Sequence, residues 1–341
     1  MKQISGIQMI GTQRSGSNLL RVMLDQSADI ASPHPAHVLV TFYPLLHLYG
    51  DLDHPGNYRR LVSDVVDYIK ANPVPWFNVV LDKDELFSLS GVYNLIELNR
   101  LVYERVAQAA GARYWCCKSM ANVHFADELE KGNPDLKYIY LYRDGRDVAA
   151  SFKKAIVGEK HIYPIARQWT EDQDACLRLA QKVPANRFHA LSYEQLITQP
   201  QVTISNLCNF LEIEYHAEML NFHTSKEAAA TAEAGAMWSN LQKPVMADNT
   251  GKFRNVLNET EIEIFELIAG DVMKKLGYPL FTSLQNTNLI AEGAVQDYYT
   301  ENEQLKAKFY KNADMNDIQK RMPQQTILNR IKNRQYDNSA S

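Results

Sequence analysis

The chain lacks several features, and each absence narrows what it can be. Four cysteines (Cys116, Cys117, Cys176 and Cys208) are spread over 341 residues. They form no C-x-x-C pair and no metal-ligand spacing, so they read as reduced core thiols, not a disulfide framework or a zinc site. Adjacent Cys116 and Cys117 should point to opposite faces of a strand. No apolar run reaches the roughly 20 residues that cross a bilayer. The first residues hold one Lys before a strand pattern begins, which is not the layout of a secretory signal. The expectation is a cytoplasmic protein with no membrane insertion. Basic excess is missing too: 36 Lys and Arg face 40 Asp and Glu, for a net charge of −4. With no long basic stripe, nucleic acid is not the expected partner, and any cations that bind an anion must be placed locally. Internal repeats and low-complexity tracts are absent. What remains is 45% apolar, with 18 Tyr and 12 Phe. That is enough to bury a sizeable core in one large domain or two.

A further absence lies inside a motif. The apolar run Ile7-Gln8-Met9-Ile10 meets Gly11-Thr12-Gln13-Arg14-Ser15-Gly16-Ser17-Asn18-Leu19-Leu20, where an amphipathic helix begins. A strand, a Gly-rich turn and a helix N-terminus make a phosphate cradle, in which backbone N–H groups and the helix dipole converge on an anion. Gly11 and Gly16 have the spacing of a nucleoside-triphosphate loop. That loop continues with Lys for the terminal phosphates and Ser or Thr for Mg²⁺. Here those positions are Ser17 and Asn18, and the cation sits inside the loop as Arg14. The residues read as a loop for a phosphorylated group whose transfer needs no bound metal.

Hydrophobic patterning alternates strands with helices. Strands are expected at residues 4–10, 114–117, 137–142 and 187–191. Helices are expected at 17–27, 58–70, 93–109 with Gly111 as C-terminal cap, 124–131, 162–182, 201–211 and 258–275. That alternation predicts an α/β fold with a parallel, doubly wound sheet and ligands at the C-terminal strand ends. Arg14, Lys118, Arg143 and Tyr193 all fall just past expected strands. Residues 234–255, rich in Gly and Asn, read as a mobile flap. Residues 293–334 read as a helical extension that packs on the body or on a partner subunit, which leaves a homodimer possible. Residues 336–341 are expected to fray. The expected organisation is an α/β domain over 1–285 and a helical C-terminal extension over 286–341.

The strand Lys137-Tyr138-Ile139-Tyr140-Leu141-Tyr142 runs into Arg143-Asp144-Gly145-Arg146-Asp147-Val148-Ala149-Ala150-Ser151-Phe152. Together with the first loop, Tyr193-Glu194-Gln195-Leu196 and Gly251-Lys252-Phe253-Arg254-Asn255, this segment resembles the sulfotransferase family. That family uses 3′-phosphoadenosine-5′-phosphosulfate (PAPS) as donor and releases adenosine 3′,5′-bisphosphate (PAP). The resemblance spans roughly residues 5–280 and implies a P-loop-like three-layer fold with a central parallel sheet flanked by helices. It implies that Ser15, Gly16, Ser17, Asn18 and Leu19 hold the 5′-phosphosulfate and that Arg14 meets its oxygens. Arg143, with Ser151 eight residues on, would bind the 3′-phosphate. Tyr193 matches an adenine contact and reads almost as well as core. Lys252 and Arg254 resemble a basic flap, and Lys118, ending Tyr114-Trp115-Cys116-Cys117, a leaving-group cation.

The chain also departs from the family. Many members have a His two residues after that Lys, where this chain has Met120. His37, past a Pro-fixed turn, is the preferred base because imidazole titrates near neutrality; His34 and His124 are reserves. Asp144 and Asp147 are expected to face away from a bound anion as helix caps, and Arg146 to be structural. Phe42, Tyr43, Trp76 and Phe77 read either as an acceptor pocket or as ordinary core. The acceptor is expected to be a small molecule carrying a hydroxyl or amine. A P-loop kinase or NTPase, and a non-catalytic nucleotide-binding relative, are the alternatives.

Overall fold

The computed structural model describes residues 4–334; the expected frayed end, 336–341, lies outside them. Five parallel strands form one sheet: β1 (Ser5–Ile10), β2 (Ile30–Ala31), β3 (Tyr114–Cys117), β4 (Lys137–Tyr142) and β5 (Phe188–Ser192), in the order β2-β3-β1-β4-β5. The strands read as nearly continuous apolar runs because helices cover both faces. Alternation then sorts side chains between two cores. Ile7, Met9, Cys116, Ile139 and Leu141 enter one; Ile10, Cys117, Tyr138 and Tyr140 enter the other. Cys116 and Cys117 therefore do point to opposite faces, and all four cysteines are buried and free.

The order of strands places the functional crevice. After β3 the chain crosses β1 and builds β4 and β5 on its other side. Loops leaving β3 and β4 therefore diverge around the end of β1, and a crevice opens there. The expected strands match the observed ones to within a residue or two, apart from β2, whose two residues carry too little pattern to detect. The main helices also match, among them Pro55–Lys70, Leu95–Ala110, Ile162–Lys182, Pro200–Leu211 and Glu259–Lys275. Gly111 adopts φ 65° after Ala110, as the cap required. The helix expected at 124–131 is a 3₁₀ turn, Met120–Phe125, followed by Ala126–Gly132. Among the described residues no helix is long and apolar enough to cross a membrane.

The extension forms two helices that lie on the chain's own body. Helix Glu292–Lys311 packs along Ile162–Lys182. Its buried Asn302 accepts the Lys160 and His161 N–H groups at 2.8 and 3.0 Å. Helix Met315–Lys332 packs on Pro55–Lys70. There the buried Asp64 carboxylate receives Arg330 and Arg334, Gln324 donates to the Tyr68 carbonyl, and Ile331 is fully buried.

Candidate active site

The first loop leaves β1 through backbone conformations that side chains rarely adopt. Gly11 has φ 131°, Arg14 φ 71° and Gly16 φ 85°. A Cβ on Gly11 would sit 2.3 Å from the Leu141 carbonyl oxygen, and one on Gly16 2.3 Å from the Tyr193 ring. Glycine is required at both. Gly16 is the N-cap of helix Ser17–Leu24 and supplies no side-chain cap. The first amides of that helix are left for another acceptor. Gly16→Ala is expected to push Tyr193 aside, lowering Tm and weakening any anion bound in the loop; thermal denaturation and an anion titration read the two effects.

A cavity of about 910 Å³ lies at the C-terminal strand ends. It gathers Arg14, Gly16, Ser17, Asn18 and Leu19 from the β1 loop, Lys118 from β3, Arg143 and Ser151 from the β4 segment, Tyr193 from β5, and Lys252 from the flap. His34 and His37 line it as well. Three residues lie elsewhere. Ser15 is buried behind the loop, with its hydroxyl unpartnered. Arg254 is exposed and lies over the Phe253 and Phe281 rings, because the 3₁₀ turn Lys252–Asn255, at about three residues per turn, points it away from the direction Lys252 takes. His124 is bound to Asp172 at 2.7 Å, away from the cavity lining. Met120 is fully buried beneath Gly11, so that position packs the loop from below.

The lining holds seven Lys and Arg side chains against two acids, Asp147 and Glu159. A chain of net charge −4 has thus concentrated cations in one place. Burial, then Arg21 and Arg14, push Lys118 down to about 7. Burial and Arg143 push Arg14 down to about 10. Burial, then Lys118 and Arg321, push His37 down to about 3. His34 is depressed by burial and then Arg21, and both its ring nitrogens lack partners. Asn18 Oδ1 and Arg143 Nε are buried without partners too. Arg143 Nε is a donor, and an orphaned donor in a positive field calls for an oxygen-rich anion; Asn18 Oδ1 is an acceptor and calls for an N–H or O–H.

Polar contacts tie segment 234–255 to the loops at the strand ends. Arg143 stacks 4.3 Å from the Tyr193 ring centroid and donates to the Arg14 and Asn249 carbonyls at 3.2 and 3.0 Å. Asn249 Nδ2 donates to the Tyr193 hydroxyl at 2.6 Å. Arg14 Nε donates to Ser151 Oγ at 3.1 Å. Asp144 caps its helix as expected, accepting the Arg146 N–H, and Arg146 is buried between Asp144 and Glu266. Asp147 corrects the expectation. It faces the cavity edge and accepts the Gly251 and Phe253 N–H groups at 2.7 and 2.9 Å. Position three of a helix can reach a neighbouring loop as readily as it can cap, and the flap supplies the donors.

Of the two readings left open for the aromatic residues, the acceptor pocket does not hold: none of the four lines the cavity. Phe42 is core, Tyr43 stacks on Phe125, Trp76 donates to the His34 carbonyl, and Phe77 lies under Lys226. The cavity uses Tyr68, Asn72, Trp238, Arg321 and Gln324 in their place.

The profile of the sulfotransferase family matches residues 6–217, nearly all of the sheet and its loops. The chain belongs to the sulfotransferase family. An uncharacterized protein of Aquifex aeolicus (strain VF5) is 23% identical over 258 residues, covering 73% of this chain and 30% of that protein. This chain therefore spans under a third of that relative's length. Two solved structures share the fold. The sulfotransferase domain of the Synechococcus PCC 7002 olefin synthase has a TM-score of 0.57 at 21% identity, covering 82% of this chain and 98% of that one. The sulfotransferase domain of the curacin biosynthetic pathway has a TM-score of 0.55 at 21% identity, covering 82% and 100%. The family profile stops at residue 217. It leaves out the flap and the helix bearing Arg321, two parts of the cavity wall.

Proposed function

We propose that the chain transfers a sulfuryl group from PAPS to a hydroxyl or amine of a small-molecule acceptor, without a bound metal. The observation that supports this best is the meeting of the β1 loop, Lys118, Arg143 and Ser151 in one cationic cavity. The donor fits the orphaned N–H groups: the uncapped amides of helix Ser17–Leu24 for the 5′ end and Arg143 Nε for the 3′-phosphate. The donor supplies an SO₃ unit and a phosphate leaving group. Every other contribution comes from this chain. Arg14 and the loop amides hold the sulfuryl-bearing end in line with the acceptor. Lys118 faces the charge that develops on the leaving oxygen. His37 is pushed down to about 3 by burial and then by Lys118 and Arg321, so the near-neutral titration that recommended it does not hold in this cavity. It stays neutral and offers a lone pair for the acceptor proton, as a base that a bound anion would strengthen.

Calorimetric titration with PAP, 5′-AMP and ADP, with and without Mg²⁺, tests the reading. PAP should bind tightly in either condition and exceed 5′-AMP by about ten- to a hundredfold, the ratio that charge-assisted bonds to one phosphate supply. Arg143→Ala should erase most of that ratio. Equal affinity for PAP and 5′-AMP would remove the roles of Arg143 and Ser151, and Mg²⁺-dependent ATP binding would favour phosphoryl chemistry.

A further inference from the structure

We infer that the acceptor is a small molecule carrying an anionic group, carboxylate or phosphate monoester, beside its reacting hydroxyl or amine, and that Arg321 selects it. The inference rests on the sulfuryl-transfer reading above and names the substrate class of that same site.

Arg321 projects into the cavity from helix Met315–Lys332, on the side that carries Tyr68, Asn72, His34 and His37. Its Nε and Nη2 are buried with no hydrogen-bond partner. A guanidinium keeps its proton, so these are orphaned donors on a buried cation. Among the described residues no carboxylate hydrogen-bonds these two nitrogens, although the Asp317 charge acts on the guanidinium from one turn away. Asp317, one turn earlier, accepts the Ala236 N–H. Of the two acids lining the cavity, Asp147 holds the flap and Glu159 holds Asn302 and Lys306.

The guanidinium is also held in place. Its carbon lies 5.5 Å from the Trp238 ring centroid, and Trp238 meets the His34 ring edge-on at 5.2 Å. Gln324, one turn on, lines the same wall and is anchored to the Tyr68 carbonyl. A fixed planar fork with two orphaned nitrogens suits a group with two or three oxygens, and suits a neutral alcohol poorly. The same charge acts on the bases. Arg321 helps to hold both His34 and His37 in their neutral form. An anion on Arg321 would offset that influence, so binding of the correct acceptor would strengthen the base beside it.

The full-length chain, saturated with PAP, is titrated with butane-1,4-diol, 4-hydroxybutyrate and 4-hydroxybutyl phosphate by calorimetry or ligand-observed NMR. One or both anions should bind at least about tenfold tighter than the diol, the gain expected from hydrogen bonds to a charged group; which anion leads separates carboxylate from phosphate. Arg321→Gln should remove the preference while keeping PAP affinity, which shows that the variant is folded. Arg321→Lys, retaining the charge without the fork, should keep part of it. Equal binding of all three probes to the PAP-loaded chain, or a preference that survives in Arg321→Gln, would overturn the inference and leave sulfuryl transfer standing. Failure to bind PAP at all would overturn the underlying reading and this inference with it.

Discussion

His37→Ala should lower turnover by roughly 10²- to 10⁴-fold, the usual contribution of a general base, and leave PAP affinity unchanged. His37 lines the cavity with Lys118 and is held in a left-handed conformation, φ 53°, as the residue before helix Val38–Phe42. Such a conformation is uncommon outside glycine and persists only where its surroundings enforce it. Partly buried near two cations, the imidazole is pushed down from 6.5 to about 3. The folded chain therefore binds fewer protons than the unfolded chain between those values. Stability from this site is present above pH 6.5 and is lost as the pH falls toward 3. His37→Ala should flatten that acid limb in a series of melts, which separates loss of the base from loss of the fold. His124→Ala provides the contrast: its ring pairs with Asp172 outside the cavity, so the variant should melt earlier and still turn over. Full turnover in His37→Ala would eliminate the proposed base.

Lys118→Met should remove about 10²- to 10³-fold of the turnover, as loss of a preorganised charge does, and should raise Tm. The two effects have one cause. Lys118 is 6% exposed, and burial, Arg21 and Arg14 lower it from 10.5 to about 7. Below pH 7 the folded chain carries a buried cation among cations. Between pH 7 and 10.5 the unfolded chain binds the extra proton, so stability from this site rises with pH through that window. Methionine has a similar length without the charge. The gain in Tm should therefore be largest below pH 7 and shrink toward pH 10. An anion in the cavity would draw a proton onto Lys118, so PAP binding near pH 8 should take up a proton. Calorimetry in two buffers of different ionisation enthalpy measures it. A variant that melts earlier and keeps its turnover would show that Lys118 is structural.

Much of the site was legible because its signals are local. A strand, a turn that only Gly11 and Gly16 can make, and a helix start are all written within 14 residues, 7–20. Alternation alone set Cys116 and Cys117 on opposite faces, and the placing of Arg14, Lys118, Arg143 and Tyr193 after strands brought them to one end of the sheet. Misreadings arose where a side chain has two local options. Asp147 could cap its own helix or bind a loop over a hundred residues away, and the flap amides decided it. The two-residue β2 exists because β3 offers a free edge, which no periodicity records.

The chain's own sequence determined the parallel α/β architecture, the cradle and its departures from a nucleotide-triphosphate loop, because backbone conformation and strand periodicity depend on neighbours a few residues apart. Only the tertiary structure decided which histidines face the cavity, that Arg254 turns away, and that Arg321 lines the cavity. The last of these depends on how helix Met315–Lys332 packs on Pro55–Lys70, an interaction across some 260 residues, such as Arg330 with Asp64. Burial, charge neighbours and orphaned donors are properties of surfaces once they have met, so they have no signature in the order of residues along the chain.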